Sequence, residues 1–187
     1  MKYSLRDLLF ITLCCDLGLF SKRLISPFAN IITDFIRIPG GIGTSFSLMF
    51  LVVAASIVPV TGCATLMGII QSMIALSLGM VGSMGALSPI GYIIPGIVID
   101  IVFYLFQKTR LSEQTALVTA NMLAAAAAGL TANLIVFRLR GIPLALYITV
   151  ALASGAICGT FAYSLVIRLR PILNREERTC RRKSLQE

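Results

Sequence analysis

The side chains that could do chemistry in the apolar part of this chain are few and scattered. Two carboxylates, Asp16 and Asp100, stand alone, and the chain has no histidine. Hydrolysis or group transfer inside a membrane generally needs clustered carboxylates, a histidine-bearing metal site or a Ser/Lys pair. The five cysteines show no C-x-x-C spacing, which argues against a structural zinc site. The pattern favours binding over catalysis, with no metal and no cofactor.

Six polar side chains are predicted to contact a bound small molecule, because ligand pockets are mostly apolar with a few placed polar groups. The amide of Gln71 lies near the middle of an apolar stretch, where it either joins helices or contacts the ligand. Asp34 and Arg37 either bind a cationic ring and an anionic group or neutralise one another. Tyr147 belongs either to the pocket or to the aromatic belt at the membrane interface. The predicted set is Tyr92, Gln71, Asn133, Tyr147, Asp34 and Arg37.

Six apolar stretches must position these side chains. A helix crossing a hydrocarbon core of about 30 Å needs about 20 apolar residues. Here 57% of all residues are hydrophobic, and the mean hydropathy is +0.92. We therefore predict an all-α membrane protein, a six-transmembrane-helix bundle that forms one integral membrane domain over residues 1–187. The stretches cover roughly 7–20, 43–58, 63–79, 88–106, 115–137 and 143–167.

Charge placement predicts the orientation of this bundle. Alternating helices put eleven basic residues on one side and five on the other, and the positive-inside rule assigns the richer side to the cytoplasm. Both termini are then cytoplasmic, with a basic tail at about 169–187. The net charge of +8 needs no nucleic acid partner, because anionic lipid attracts Lys and Arg at membrane ends. The five outer residues are Lys22, Arg23, Arg37, Arg138 and Arg140.

Two connections are expected to cover the outer end. Residues 21–42 are too polar and broken to span, so they form either a lid or an interfacial helix that seals the bundle. The glycine-rich turn at 79–86 can change shape at little steric cost. Asp16, just before the first connection, should face protein or a cavity, or pair with Lys22 or Arg23.

Small residues and prolines predict the packing. Small side chains four apart allow close helix approach, and the polyalanine segment 124–128 should act in the same way. Pro95-Gly96 predicts a kink or break in the fourth stretch, which places a binding cavity beside Tyr92. Asp100, deeper on that helix, should bond to Ser, Thr or Asn of a neighbouring helix. The clearest small-residue stripe is Ala64, Gly68, Ser72 and then Ala75 or Gly79.

The order and spacing of four short motifs resemble a known family. With six spans and a mass of 20.1 kDa, the chain resembles, over essentially its whole length, the substrate-binding S components of energy-coupling factor (ECF) transporters. The motifs are Leu5-Arg6-Asp7, Ile38-Pro39-Gly40-Gly41, Gly62-Cys63-Ala64-Thr65-Leu66-Met67-Gly68-Ile69-Ile70-Gln71 and Tyr92-Ile93-Ile94-Pro95-Gly96-Ile97-Val98-Ile99-Asp100.

This resemblance implies a function in the prokaryotic cell membrane. An S component binds a vitamin or related micronutrient from outside, then associates with a transmembrane T component and two cytoplasmic ATPases and topples to release its cargo. The substrates common in this family suggest thiamine or its pyrimidine precursor as the cargo. The family docks on the T component through small residues of the first helix, matched here by Cys14 and Gly18, although Asp16 departs from that apolar pattern.

Two other classes stay open at the sequence level. One is a small integral-membrane enzyme, which the solitary carboxylates disfavour. The other is a channel or an assembly protein without cargo, and no ring of like charge within the spans supports a channel. The chain lacks the Walker A pattern G-x-x-x-x-G-K-[ST], so energy for transport must come from a partner.

Overall fold

The computed structural model is all-helical over the residues it describes, which are 5–36, 42–58, 60–79, 87–109, 112–137 and 141–183. The all-α prediction is therefore confirmed for these residues. A short π-helical turn, Asn133–Phe137, extends the fifth helix. The helices are α1 (Leu5–Ile36), α2 (Ile42–Ile57), α3 (Cys63–Ser77), α4 (Ser88–Thr109), α5 (Glu113–Ala132) and α6 (Ile142–Lys183).

The second helix, α2, is the centre of the bundle and contacts each of the other five helices. Successive residues of an α-helix are rotated by about 100°, so four consecutive buried side chains cover its whole circumference. Such a helix must be enclosed by protein on all sides. The four residues are Leu51, Val52, Val53 and Ala54, each at most 1% exposed.

Small residues set the distance between α3 and α4, as the stripe on the third stretch predicts. A β-carbon on Gly68 would lie 2.6 Å from the Tyr92 carbonyl oxygen, and one on Gly96 would lie 2.6 Å from the Ala64 carbonyl oxygen. Contacts this short can form only where a side chain is missing. Because the earlier residue of α3 meets the later residue of α4, the two helices are antiparallel.

Glycine residues also allow the close approach of α5 and α6. A β-carbon on Gly155 would lie 2.8 Å from the Met122 Cα, and one on Gly159 would lie 2.7 Å from the Val118 Cα. Ala125, inside the polyalanine segment, is also close to Gly155. The predicted close packing of this segment is confirmed, and α5 and α6 are antiparallel.

The helices alternate in direction, so the bundle has two distinct ends. We call the end where α1, α3 and α5 finish and α2, α4 and α6 begin the distal end. The opposite end, toward which the N-terminus of α1 and the C-terminus of α6 point, is the proximal end. A salt bridge between Arg170 of α6 and Glu113 of α5 joins two helices at the proximal end.

Within the described residues, three helices are long and apolar enough to cross a membrane, which is compatible with a membrane protein. They are Ser88–Thr109, Glu113–Ile135 and Ile142–Pro171. Two more apolar helices, Gly43–Ile57 and Cys63–Ser77, are shorter. The long first helix is not among the three, because Asp16, Lys22 and Arg23 interrupt its apolar sequence.

The first and last helices extend beyond the apolar stretches that predict them. α1 continues as one helix to Ile36 through Pro27, so the outer connection predicted at 21–42 is mostly helical. The apolar spacing of Phe28, Ile31, Ile32 and Phe35 is that of a helix face and accounts for this continuation. Likewise, α6 continues to Lys183, so most of the predicted basic tail belongs to the same helix. α4 is also unbroken through Pro95.

Candidate functional site

Buried polar side chains concentrate at the distal end. Nine polar residues are buried among those whose side chains the structure describes. Eight of the nine lie in the distal halves of their helices, and Asn121 is the exception. A buried polar group is costly unless it has a hydrogen-bond partner. The eight are Ser45, Ser47, Gln71, Ser72, Ser88, Thr131, Asn133 and Ser154.

The largest fully buried apolar side chains lie in the opposite half. Among the twelve largest side chains with less than 2% exposure, every Leu, Ile, Val and Met belongs to the proximal half of its helix. The most completely buried large apolar side chains therefore lie toward the end that carries the termini, whereas the distal half buries most of the polar groups together with Leu48, Met49 and Tyr92. These apolar residues are Ile11, Leu51, Met67, Ile99, Leu117, Val52, Val53 and Val166.

Tyr92, the first predicted site residue, is buried and is covered by a lysine from α1. The Lys22 ammonium donates a hydrogen bond to the Tyr92 hydroxyl at 3.1 Å. The same nitrogen lies 4.3 Å from the centroid of the Tyr92 ring, within the range of a cation–π interaction. Leu19 and Ala75 pack with Tyr92 in one small apolar cluster. This cluster joins α1, α3 and α4 near the distal end.

Gln71 holds α3 against α1. Its amide nitrogen donates a hydrogen bond to the Cys15 carbonyl at 3.3 Å, and the side chain is only 1% exposed. A β-carbon on Gly18 would lie 2.8 Å from the same amide nitrogen. Of the two roles predicted for Gln71, the contacts of the described residues support the one that joins helices.

Asn133 and Tyr147 meet at Gly129 on the other side of the bundle. The Asn133 amide donates to the Gly129 carbonyl at 2.8 Å, and the Tyr147 ring packs against the bare Cα of Gly129. Asn133 is 3% exposed, and Tyr147 is half-buried. The pair links α6 to the start of the π-helical turn, where the backbone departs from regular α geometry. Such turns occur frequently at functional sites.

Four of the predicted site residues therefore lie in two separate regions, Gln71 and Tyr92 in one, Asn133 and Tyr147 in the other, and we call the two residues of each region a pair. The first pair lies among α1, α3 and α4 and the second between α5 and α6. Asp34 belongs to α1, but its side chain lies outside the described part of the structure. Arg37 lies outside the described residues altogether.

A groove of about 410 Å³ lies between α1 and α3, beside the Tyr92 cluster rather than against Tyr92 itself. Leu19 and Ile74 border both the groove and the cluster. Asp16 and Arg23 are exposed and line the groove. The ion pair predicted for Asp16 is not formed with Lys22 or Arg23. Lys22 does not pair with Asp16 because its ammonium is directed toward Tyr92 of α4.

A second cavity, of about 390 Å³, lies at the proximal end, where no ligand site is predicted. It is bordered by two carboxylates that already have partners. Asp100 accepts hydrogen bonds from the backbone N–H groups of Ala64 and Thr65, and Glu113 is paired with Arg170. The prediction that Asp100 bonds to Ser, Thr or Asn of a neighbouring helix is confirmed by its bond to the Thr65 hydroxyl at 2.5 Å.

Cys14 and Gly18, the predicted docking residues, face the interior of the bundle. Cys14 is 4% exposed. Gly18 accepts a hydrogen bond at its carbonyl from the Ser47 hydroxyl at 2.9 Å. Both residues serve the packing of α1 on α2 and α3, whereas docking on a partner requires an accessible face.

Lys22 is not among the residues predicted to bind ligand, although the structure places its ammonium against Tyr92. The sequence feature that indicates this position is the spacing of Cys15, Gly18 and Lys22, since residues three and four apart lie on one helix face. Had 21–36 been recognised as helix, this spacing would have placed Lys22 on the same internal face as the two small residues.

No family model, no curated protein and no solved structure matches this chain.

Proposed function

We propose that this chain is the substrate-binding membrane subunit of an ECF-type importer, which captures a small water-soluble micronutrient at its distal end. The proposal is supported mainly by the unequal distribution of buried polar and buried apolar side chains between the two ends of the bundle. Among the described residues, eight of the nine buried polar side chains lie distally, and the Leu, Ile, Val and Met side chains with less than 2% exposure that rank among the twelve largest lie proximally. Recognition of a polar molecule requires placed polar groups, and the proximal end offers a rigid support for them.

The proposal includes six membrane spans with both termini in the cytoplasm. Three helices meet the length and composition of a span. α2, with 16 residues, is about 24 Å long, which is short of a hydrocarbon core of about 30 Å. However, α2 is enclosed by its five neighbours, so it needs no lipid contact of its own. The distribution of basic residues supports the orientation, since the proximal end carries the larger number.

The proximal cavity is the weaker candidate for the substrate site, although it is similar in volume to the groove. Its two carboxylates are used by the N-terminus of α3 and by Arg170. At the distal end, by contrast, the one described side chain that holds the Lys22 ammonium is a neutral tyrosine. Free charge is what a polar cargo needs for recognition, so the distal end fits the role better.

The proposed partners follow from the energy requirement of import. The chain has no Walker A sequence, so a transmembrane T component and two cytoplasmic ATPases would supply the energy. Cys14 and Gly18 are used internally. Docking would therefore use another surface, or follow a rearrangement of α1.

Native mass spectrometry of the detergent-purified chain tests this function directly. We expect a retained small molecule in the wild type, and a loss of about 10-fold or more in retention for Tyr92→Ala. Tyr104→Ala is the matched control, because Tyr104 is 62% exposed in the proximal half of α4. Co-expression with the T component and the ATPases should yield one complex. A wild-type chain that retains no small molecule and binds no such partners would contradict the proposal.

A further inference from the structure

Lys22 carries a half-buried positive charge that no carboxylate of the described side chains balances. Its ammonium contacts the hydroxyl and the ring face of Tyr92, both of which are neutral. No carboxylate of a described residue lies within ion-pair distance of it. A charge removed from water is costly unless it is paired. Lys22 is therefore prepared for a counter-ion that the chain itself does not provide at this point.

The helices around Lys22 strengthen this conclusion. α2 and α3 contain no charged residue at all. On α4, the nearest carboxylate to Tyr92 is Asp100, eight residues or about 12 Å along the helix axis. It is already engaged by the N-terminus of α3. On α1 itself, Asp16 is six residues or about 9 Å from Lys22 and faces the groove instead.

The sequence also gives the distal end an excess of positive charge. Alternation of the helices assigns five basic residues to this end against two acidic ones, Asp16 and Asp34. Clustered charge of one sign raises the local concentration of ligands of the opposite sign and speeds their association. The positive-inside rule gives the outer side few basic residues, so lipid attraction alone does not account for a lysine that turns inward to a tyrosine.

We propose that the molecule bound at the distal end is an anion, whose carboxylate or phosphate pairs with the Lys22 ammonium beside Tyr92. This inference rests on the proposed function and adds the chemical class of the substrate. In the absence of substrate, Tyr92 holds Lys22 through the hydrogen bond and the cation–π contact. Binding exchanges these neutral partners for an anionic acceptor, so that both members of the new hydrogen bond are charged. A cation such as thiamine would meet repulsion at the same place.

Four aromatic probes of similar size and different charge test this inference on the full-length chain in detergent. Phenyl phosphate and benzoate are anionic, benzyl alcohol is neutral and benzyltrimethylammonium is cationic. Binding is read from the midpoint of thermal unfolding with a thiol-reactive dye, since four buried cysteines become accessible only on unfolding. We expect the two anions to raise the midpoint and the other two probes to leave it unchanged.

Variants at Lys22 assign the effect to this side chain. Lys22→Met should weaken the binding of phenyl phosphate by about 10- to 100-fold, the usual range for a lost hydrogen bond to a charged group. Lys22→Arg should bind within a few-fold of the wild type. Lys108→Met is the matched control and should have no effect, because Lys108 is exposed in the last turn of α4 at the proximal end.

A labelling measurement on the wild type keeps the test independent of folding defects. Phenyl phosphate should slow the acylation of Lys22 by an amine-reactive reagent and leave the acylation of Lys108 unchanged. If benzyl alcohol or benzyltrimethylammonium binds as well as the anions, or Lys22→Met binds phenyl phosphate normally, the anion inference is overturned and the proposed function stands. If no probe binds and the protein purified from its host retains no small molecule, both are overturned.

Discussion

Thr65 on α3 donates two hydrogen bonds to the Asp100 carboxylate on α4, one from its backbone N–H at 2.8 Å and one from its hydroxyl at 2.5 Å. The Ala64 N–H donates to the other carboxylate oxygen at 3.2 Å. α3 is preceded by Gly62 at the N-cap position, which offers no capping side chain, so the N–H groups of Ala64 and Thr65 would otherwise lack partners. Asp100 therefore acts as an N-cap supplied by a neighbouring helix.

Replacing Asp100 should destabilise the bundle because the first turn of α3 loses its acceptor. We expect Asp100→Ala to lower the free energy of unfolding by about 1 to 3 kcal/mol, the cost of leaving hydrogen-bonding groups unpaired. Asp100→Asn should lose less, since its amide oxygen can still accept. Asp16→Ala is the control, because Asp16 is exposed. Unfolding in detergent measures all three, and an equal effect of Asp100→Ala and Asp16→Ala would contradict the capping role.

The contact between α3 and α4 leaves no room for a methyl group at Gly68. Its β-carbon would meet the Tyr92 carbonyl oxygen at 2.6 Å, and a backbone atom cannot rotate away as a side chain can. We expect Gly68→Ala to reduce stability by about 1 to 3 kcal/mol through forced separation of the helices. Ala153→Ser adds one heavy atom at an exposed position of α6 and should be neutral. A stable Gly68→Ala protein with unchanged unfolding would show that the helices are further apart.

Periodic small residues made the packing of the middle of the chain predictable from sequence. The bounds of α2, α3 and α4 lie close to the apolar stretches that predict them, and the stripe that contains Gly68 lies at a helix contact. In each case one pattern determines both the element and the face that it buries. The sequence also predicts the hydrogen bond that Asp100 accepts from a hydroxyl of a neighbouring helix, because an unpaired carboxylate is costly in apolar surroundings.

The site was less predictable, because partners in space do not follow from apolar patterns. Asp16, Lys22 and Arg23 interrupt the apolar pattern, so the sequence predicts that the first helix ends near residue 20. In the structure, α1 continues past these residues. The sequence predicts a cavity beside Tyr92 and leaves Gln71 either to join helices or to contact ligand, and the structure shows both residues engaged by α1, through Lys22 and Cys15. The approach of α1 to α3 and α4 depends on tertiary packing, and its one local signal, the spacing of Cys15, Gly18 and Lys22, is readable only once 21–36 is known to be helical.

The ion pair between Glu113 and Arg170 should matter little for stability, in contrast to Asp100. Both side chains are partly open to solvent, with 41% and 44% exposed, and exposed pairs contribute about 0 to 1 kcal/mol. We expect Glu113→Gln to change the free energy of unfolding by less than about 1 kcal/mol. Salt should reduce even that difference, because mobile ions screen exposed charges. Unfolding of the wild type and Glu113→Gln at low and high ionic strength provides the measurement, and a salt-independent loss of several kcal/mol would contradict this assignment.

The contact between Lys22 and Tyr92 should be weak in itself and should compete with the anion proposed above. Tyr92→Phe removes the hydrogen bond at 3.1 Å and keeps the ring beneath the ammonium. We expect it to cost about 0.5 to 1.5 kcal/mol. A double-mutant cycle with Lys22→Met should give a coupling energy of at least about 0.5 kcal/mol, as residues in direct contact do. With saturating phenyl phosphate, the coupling should fall, because the ammonium then bonds to the anion rather than to the phenol. A coupling energy that phenyl phosphate leaves unchanged would mean that Lys22 belongs to Tyr92 as a structural partner and is not available to a substrate.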